Sequence, residues 1–120
     1  MRWLTLSNQK QNKYKNKKVS INGKVFDSKK EANRYCELIR MQQAGLIKDL
    51  ETQKRYLLLD KFKKNGKVYN QINYYADFVY YSIYEKKTVV EDVKGCKTEV
   101  YKIKKKLFEF IYPNLTIVEL

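Results

Sequence analysis

Thr88-Val89-Val90-Glu91-Asp92-Val93-Lys94-Gly95 sets two acids and a lysine inside an otherwise β-branched run. Such a run predicts a strand, ended by its glycine. Side chains alternate along a strand, so Asp92 and Lys94 point one way and Glu91 the other. Charge on a largely apolar strand is costly unless it is paired or binds something. The pair is therefore either a functional site or a surface ion pair on an edge strand. A second acid, Asp77, interrupts Tyr74-Tyr75-Ala76-Asp77-Phe78-Val79-Tyr80, fifteen residues before Asp92. An aspartate within an aromatic strand either lies on an exposed edge or has a ligand. Antiparallel neighbours lie about 5 Å apart, close enough for two carboxylates to share a cation. Magnesium fits such a pair, because it needs few carboxylates and completes its shell with water and phosphate oxygens.

The residue types that are missing narrow the chemistry further. The chain has no histidine and two cysteines, Cys36 and Cys96, sixty residues apart. The usual zinc sites are excluded, as are a histidine general base and any Ser-His-Asp or Cys-His arrangement. Both cysteines read as reduced thiols of a cytoplasmic protein. Chemistry must come from carboxylates, lysines, tyrosines and a hard cation.

The elements that must position these groups can be read in order. Residues 1–18, with Lys10, Lys13, Lys15, Lys17 and Lys18 among asparagines, form a basic arm that tracks phosphates or is simply solvated. Residues 19–120 form one domain. Val19–Phe26 is a hairpin turned at Asn22-Gly23. Ser28 opens a helix to about Ala44, stopped by Gly45, with Ala32, Tyr35, Cys36 and Ile39 as its buried stripe. Ser28-x-x-Glu31 reads as a capping box. Strands follow over Leu46–Asp60 and, after a turn at Asn65-Gly66, over Val68–Tyr81. The acid-bearing strand comes next. Thr98 caps a second helix, which Pro113-Asn114 ends; its buried face is Val100, Ile103, Leu107, Phe110 and Ile111, with Lys104 inside that stripe. Leu115–Val118 is the last strand.

The formal charge of +13 on 120 residues is self-repelling, which suits a polyanionic partner, nucleic acid first and an anionic membrane surface second. No apolar run is long enough to span a bilayer.

These stretches resemble the PD-(D/E)XK nuclease superfamily, whose signature is an acid, a gap, then acid-x-lysine. More closely they are similar to a small phage-encoded family placed in that superfamily. The likeness rests on Phe26-Asp27-Ser28-Lys29-Lys30-Glu31-Ala32, Tyr75-Ala76-Asp77-Phe78, Val90-Glu91-Asp92-Val93-Lys94-Gly95 and the run from Thr98 through Lys104 to Phe108, and spans roughly residues 13–120. Tyr75-Ala76 stands where the motif's variable proline would be. The resemblance implies an α+β fold with an αβββαβ core, in which two helices flank a mixed sheet behind the N-terminal hairpin. It implies a magnesium-dependent DNA endonuclease of phage or prophage origin, with manganese as a substitute, acting on branched recombination or replication intermediates. Asp77, Asp92, the Val93 carbonyl and Glu31 would hold metal, directly or through water. Lys94 would position the attacking water. Lys104 and Gln53 would reach the substrate, with Lys13, Lys15, Lys17, Lys18, Lys102 and Lys105 as further DNA contacts. Cutting both strands would favour a homodimer. The competing readings are a non-catalytic nucleic-acid-binding protein that kept the fold and a basic scaffold for RNA.

Overall fold

The computed structural model describes residues 17–93 and 97–120. The chain divides into two compact units, Met1–Glu37 and Leu38–Leu120. Residues 1–16 and 94–96, and with them the expectations for Lys13, Lys15, Lys94, Gly95 and Cys96, lie outside the described residues.

In the first unit, β1 (Val19–Ile21) and β2 (Lys24–Phe26) pair antiparallel. Asn22 and Gly23, at φ 51° and 83°, supply the left-handed turn that the Asn-Gly pair predicts. The helix α1 (Lys29–Gln43) starts at Ser28, whose Oγ accepts the Glu31 backbone N–H at 3.1 Å. Ala32 and Tyr35 are buried, and the Tyr35 ring packs on Phe26 with centroids 4.9 Å apart. Cys36 is a half-buried free thiol.

The second unit is built on a four-stranded mixed sheet in the order β3 (Ile47–Leu59), β6 (Ile72–Ser82), β7 (Lys87–Asp92), β8 (Ile117–Glu119). The first three strands run antiparallel, and β8 lies parallel to β7. Parallel neighbours need a crossover, and α2 (Glu99–Ile111) supplies it. Thr98 caps α2, its Oγ1 accepting the Tyr101 backbone N–H at 3.1 Å. The architecture is thus mixed α+β with two helices among the described residues. Neither helix is long and apolar enough to cross a membrane.

One side of this sheet meets α2 through an aromatic cluster. Phe108, fully buried, touches Tyr56 and Tyr74 edge-on at 5.1 and 5.4 Å and Tyr112 at 5.1 Å. Val79, Val90, Tyr101 and Ile117 complete the core. Each aromatic pair adds about 0.5–1.5 kcal/mol beyond the burial of its area.

Two expectations are corrected. The buried face of α2 is not Val100, Ile103, Leu107, Phe110 and Ile111: Phe110 is 84% exposed, Val100 and Ile103 are exposed too, and only Leu107 packs partly against the core. Tyr101 and Phe108 face inward, with Lys104 and Lys105 half-buried near them. The helix is rotated by about one residue because its tyrosines carry hydroxyls with partners on the sheet. Tyr101 donates to Glu119 Oε2 and Tyr112 to the Leu57 carbonyl, each at 2.7 Å, and neither bond forms with the aliphatic stripe inward. The long strand Val68–Tyr81 is also two strands. Its first part, β5 (Lys67–Tyr69), pairs with β4 (Phe62–Lys64) in a small ribbon of its own, and β6 begins only at Ile72.

Candidate metal and phosphodiester site

The site forms where β6 leaves its regular pairing with β7. The ladder between them runs from Ser82 with Lys87 to Phe78 with Glu91, which puts Asp77 and Asp92 one step further on. Asp77 closes that step with its side chain: Oδ2 accepts the Val93 backbone N–H at 2.8 Å. On the other side, Oδ1 accepts from Gln53 Nε2 at 3.0 Å. Gln53 lies between Thr52 and Lys54, which pair with Phe78 and Ala76, so it stands opposite Asp77 on β3. Its backbone is left-handed, at φ 52°. A non-glycine residue in that conformation costs about 1–2 kcal/mol. The strain is stored within a strand, at the residue that orients a carboxylate.

Asp92 is fully buried, and its Oδ2 accepts a hydrogen bond from the Tyr74 hydroxyl. Burial, and then the hydrogen bond to Asp92, push the Tyr74 phenol far above its ordinary pKa, so it keeps its proton and remains a donor. Glu91, also buried, accepts instead from Tyr80. The two adjacent acids therefore use different tyrosines.

A third acid, Glu119, stands in register with Asp92 on β8. Its carboxylate takes the Tyr101 hydroxyl and the ammonium groups of Lys97 and Lys105 at 3.0 and 3.5 Å. The Tyr101 hydrogen bond and then Lys97 hold its pKa down at about 2. The Tyr101 phenol is pushed well up, by burial first and then by Glu119. The charges of both Asp77 and Asp92 also reach Tyr74 and Tyr101, so the two aspartates and two tyrosines form one electrostatic cluster.

Of the residues expected from the sequence, the fold gathers Asp77, Asp92, Val93 and Gln53. Glu31 is buried in the first unit. Lys104 is half-buried on the same face of α2 as Tyr101 and Phe108. Lys105 is tied to Glu119, Lys102 to Glu99 at 3.1 Å and Lys18 to Asp27 at 3.2 Å; Lys17 is exposed. Tyr74, Tyr101 and Glu119 went unnoticed in the sequence. Tyr74 lies three residues before Asp77 in the same strand, and Glu119 ends the last strand. Neither spacing marks a site until the register is known.

Among the described residues, no group of three or more His, Cys, Asp or Glu side chains is close enough to hold a metal. Two carboxylates suffice for magnesium, and each Asp77 oxygen keeps a second lone pair beyond its hydrogen bond. The donor set is oxygen only, which suits a hard cation and not zinc. A cleft of about 390 Å³ lies elsewhere on the sheet, lined by residues that include Lys48, Glu51, Lys54, Tyr56 and Tyr81, and neither Asp77 nor Asp92 lines it.

Residues 11–119 match the model of a family described as "Protein of unknown function (DUF1064)", and the chain belongs to that family. No curated protein and no solved structure matches it.

Proposed function

We propose that this member of the family is a metal-dependent phosphodiesterase that cuts DNA, with branched recombination or replication intermediates as the substrate class. The observation that supports it is the juxtaposition of Asp77 and Asp92, carboxylates from adjacent strands, linked by the Val93 N–H and set in a protein of charge +13. A structural role explains one buried carboxylate with its donors. Two of them on facing positions of adjacent strands form an arrangement that a divalent cation neutralises.

Asp77 and Asp92 would hold magnesium or manganese, with the Val93 carbonyl as a third oxygen. When bound, that ion lowers the pKa of a coordinated water and screens the charge of a phosphate. The chain's own groups do the positioning. Gln53 and the Val93 N–H fix the Asp77 carboxylate from two sides, and Tyr74 fixes Asp92. Lys94, two residues beyond Asp92, would supply the ammonium that orients water and steadies charge on the phosphoryl oxygens. Lys104 would face the substrate from α2.

The test is manganese binding followed by electron paramagnetic resonance, with hydrolysis of a labelled duplex in parallel. The wild type should bind manganese and cut. Asp92→Asn should lose both while its circular dichroism is unchanged. Manganese binding that survives in Asp92→Asn would remove the basis of the proposal.

A second reading rests on Asp77 itself. A carboxylate with protein donors on both oxygens is also what a nucleic-acid-binding protein that no longer cuts would retain. Duplex binding with no hydrolysis in either metal would favour that reading.

A further inference from the structure

The ribbon β4–β5 is the element that the site does not absorb. Its three rungs pair Phe62 with Tyr69, Lys63 with Val68 and Lys64 with Lys67. Asn65 and Gly66, at φ 52° and 76°, make the left-handed two-residue turn that suits a tight hairpin. Every residue from 61 to 70 is exposed. A two-stranded hairpin is marginal in water by itself, and this one buries nothing in the core. Its order comes from the turn and from one aromatic pair, Phe62 and Tyr69, stacked at 4.8 Å with planes 8° apart. Lys67 sits 5.0 Å from the Tyr69 ring centre.

Its charge is one-sided. Lys61, Lys63, Lys64 and Lys67 fall within seven residues, and no Asp or Glu occurs from residue 61 to 76. Phe62, Lys64, Lys67 and Tyr69 share one face by alternation, with the lysines at the tip and the aromatic pair at the base. Elsewhere Lys18, Lys102 and Lys105 are each paired with an acid.

We infer that this ribbon is a duplex-DNA contact that enters a groove beside the cleavage site. A B-form major groove is about 12 Å wide and admits a two-stranded ribbon. The lysines at the tip meet the phosphates lining the groove, and the aromatic base packs on sugars and base edges. A duplex fits better than a single strand because the two rings already cover one another, which leaves no slot for a base to stack between them. The placement also fits. From Asp77 back to Ile72, where β6 begins, five residues span about 17 Å. That is about half of the roughly 34 Å turn of a duplex, so a phosphate at Asp77 and a groove at the ribbon can belong to one DNA molecule. This inference deepens the nuclease reading and takes its substrate from it, but its test separates the two.

The experiment uses the full chain with chelator present, so that nothing is cut. Fluorescence anisotropy on a duplex of about 30 base pairs compares the wild type with Lys63→Gln/Lys64→Gln/Lys67→Gln and with Phe62→Ser. If all three lysines meet phosphates, the triple variant binds about tenfold or more weakly, and the slope of log affinity against log salt falls by about 2–3. Phe62→Ser removes the stacked pair that orders the ribbon and weakens duplex binding as well. Because the ribbon buries nothing, neither variant shifts the thermal midpoint of the fold. A single strand of equal length is the control; a loss there as large as on the duplex overturns the groove assignment. Hydrolysis of bis-p-nitrophenyl phosphate with manganese, a substrate too small to reach the ribbon, should proceed at wild-type rate in both variants. Wild-type duplex affinity in both variants overturns the inference even when hydrolysis is present. No hydrolysis by the wild type, with ribbon variants still weakened on duplex, would defeat the nuclease reading and leave the ribbon assignment standing.

Discussion

Tyr74→Phe isolates one hydrogen bond at the candidate metal site. The substitution removes the hydroxyl that donates to Asp92 and keeps the ring that packs edge-on against Phe108. A hydrogen bond to a charged group contributes about 1.5–3 kcal/mol. Unfolding entropy of roughly 2.1 cal/mol/K per residue gives about 0.25 kcal/mol/K for this chain, so the thermal midpoint should fall by about 6–12 °C without metal. Magnesium at about ten times its dissociation constant stabilises the wild type by about 1.4 kcal/mol, or roughly 6 °C. The phenol and the cation offset the same buried charge, so removing one makes the other worth more. The Tyr74→Phe deficit should therefore narrow when magnesium is added. Tyr80→Phe is the matched control: it removes the donor to buried Glu91, which faces the other way, and its deficit should not respond to magnesium. The assay is thermal denaturation by circular dichroism, with magnesium and with chelator. Equal responses of the two variants, or a wild-type midpoint that magnesium does not move, would refute the reasoning.

Other consequences follow from the same geometry. Gln53→Gly should be more stable than Gln53→Ala by about 1–2 kcal/mol, because both lose the bond to Asp77 but only glycine relieves the left-handed backbone; chemical denaturation reads the difference. Glu119 is held at about 2 in the folded protein against its ordinary 4.5, so the unfolded chain binds its proton first as pH falls. The stability it contributes is complete above pH 4.5 and is lost as pH drops towards 2. An acid titration of the midpoint should therefore be steeper for the wild type than for Glu119→Gln. On α2, Phe108→Ala should cost about 3–5 kcal/mol, whereas Phe110→Ser should stay within about 0.5 kcal/mol; urea midpoints distinguish the inward ring from the outward one.

The sequence discloses most where one local rule acts alone. Asn22-Gly23, Ser28 and Thr98 each answer a single backbone requirement, and the turn and both helix starts lie where those residues put them. The order of the main strands follows from runs of β-branched and aromatic residues. Two places defeat local reading. In α2 the aliphatic stripe carries the clearer period, but the tyrosine hydroxyls find partners on β3 and β8 that no spacing within the helix reveals. At Asn70-Gln71 the apolar and aromatic residues on either side, Val68, Tyr69 and Ile72, hide a break, because the side chains of an exposed ribbon look like those of a long strand. The site divides the same way. Asp77 and Asp92 stand out because acids are rare in such strands, whereas Tyr74 and Glu119 gain meaning only from register.

The most direct measurement is cleavage of linear, supercoiled, flap and four-way-junction DNA with magnesium, with manganese and with chelator, beside Asp77→Asn. The account predicts cutting of at least one substrate in either metal, none with chelator and none by Asp77→Asn, which should bind the DNA as the wild type does. Tight binding by both proteins with no cleavage of any substrate, or cleavage by Asp77→Asn at the wild-type rate, would contradict it.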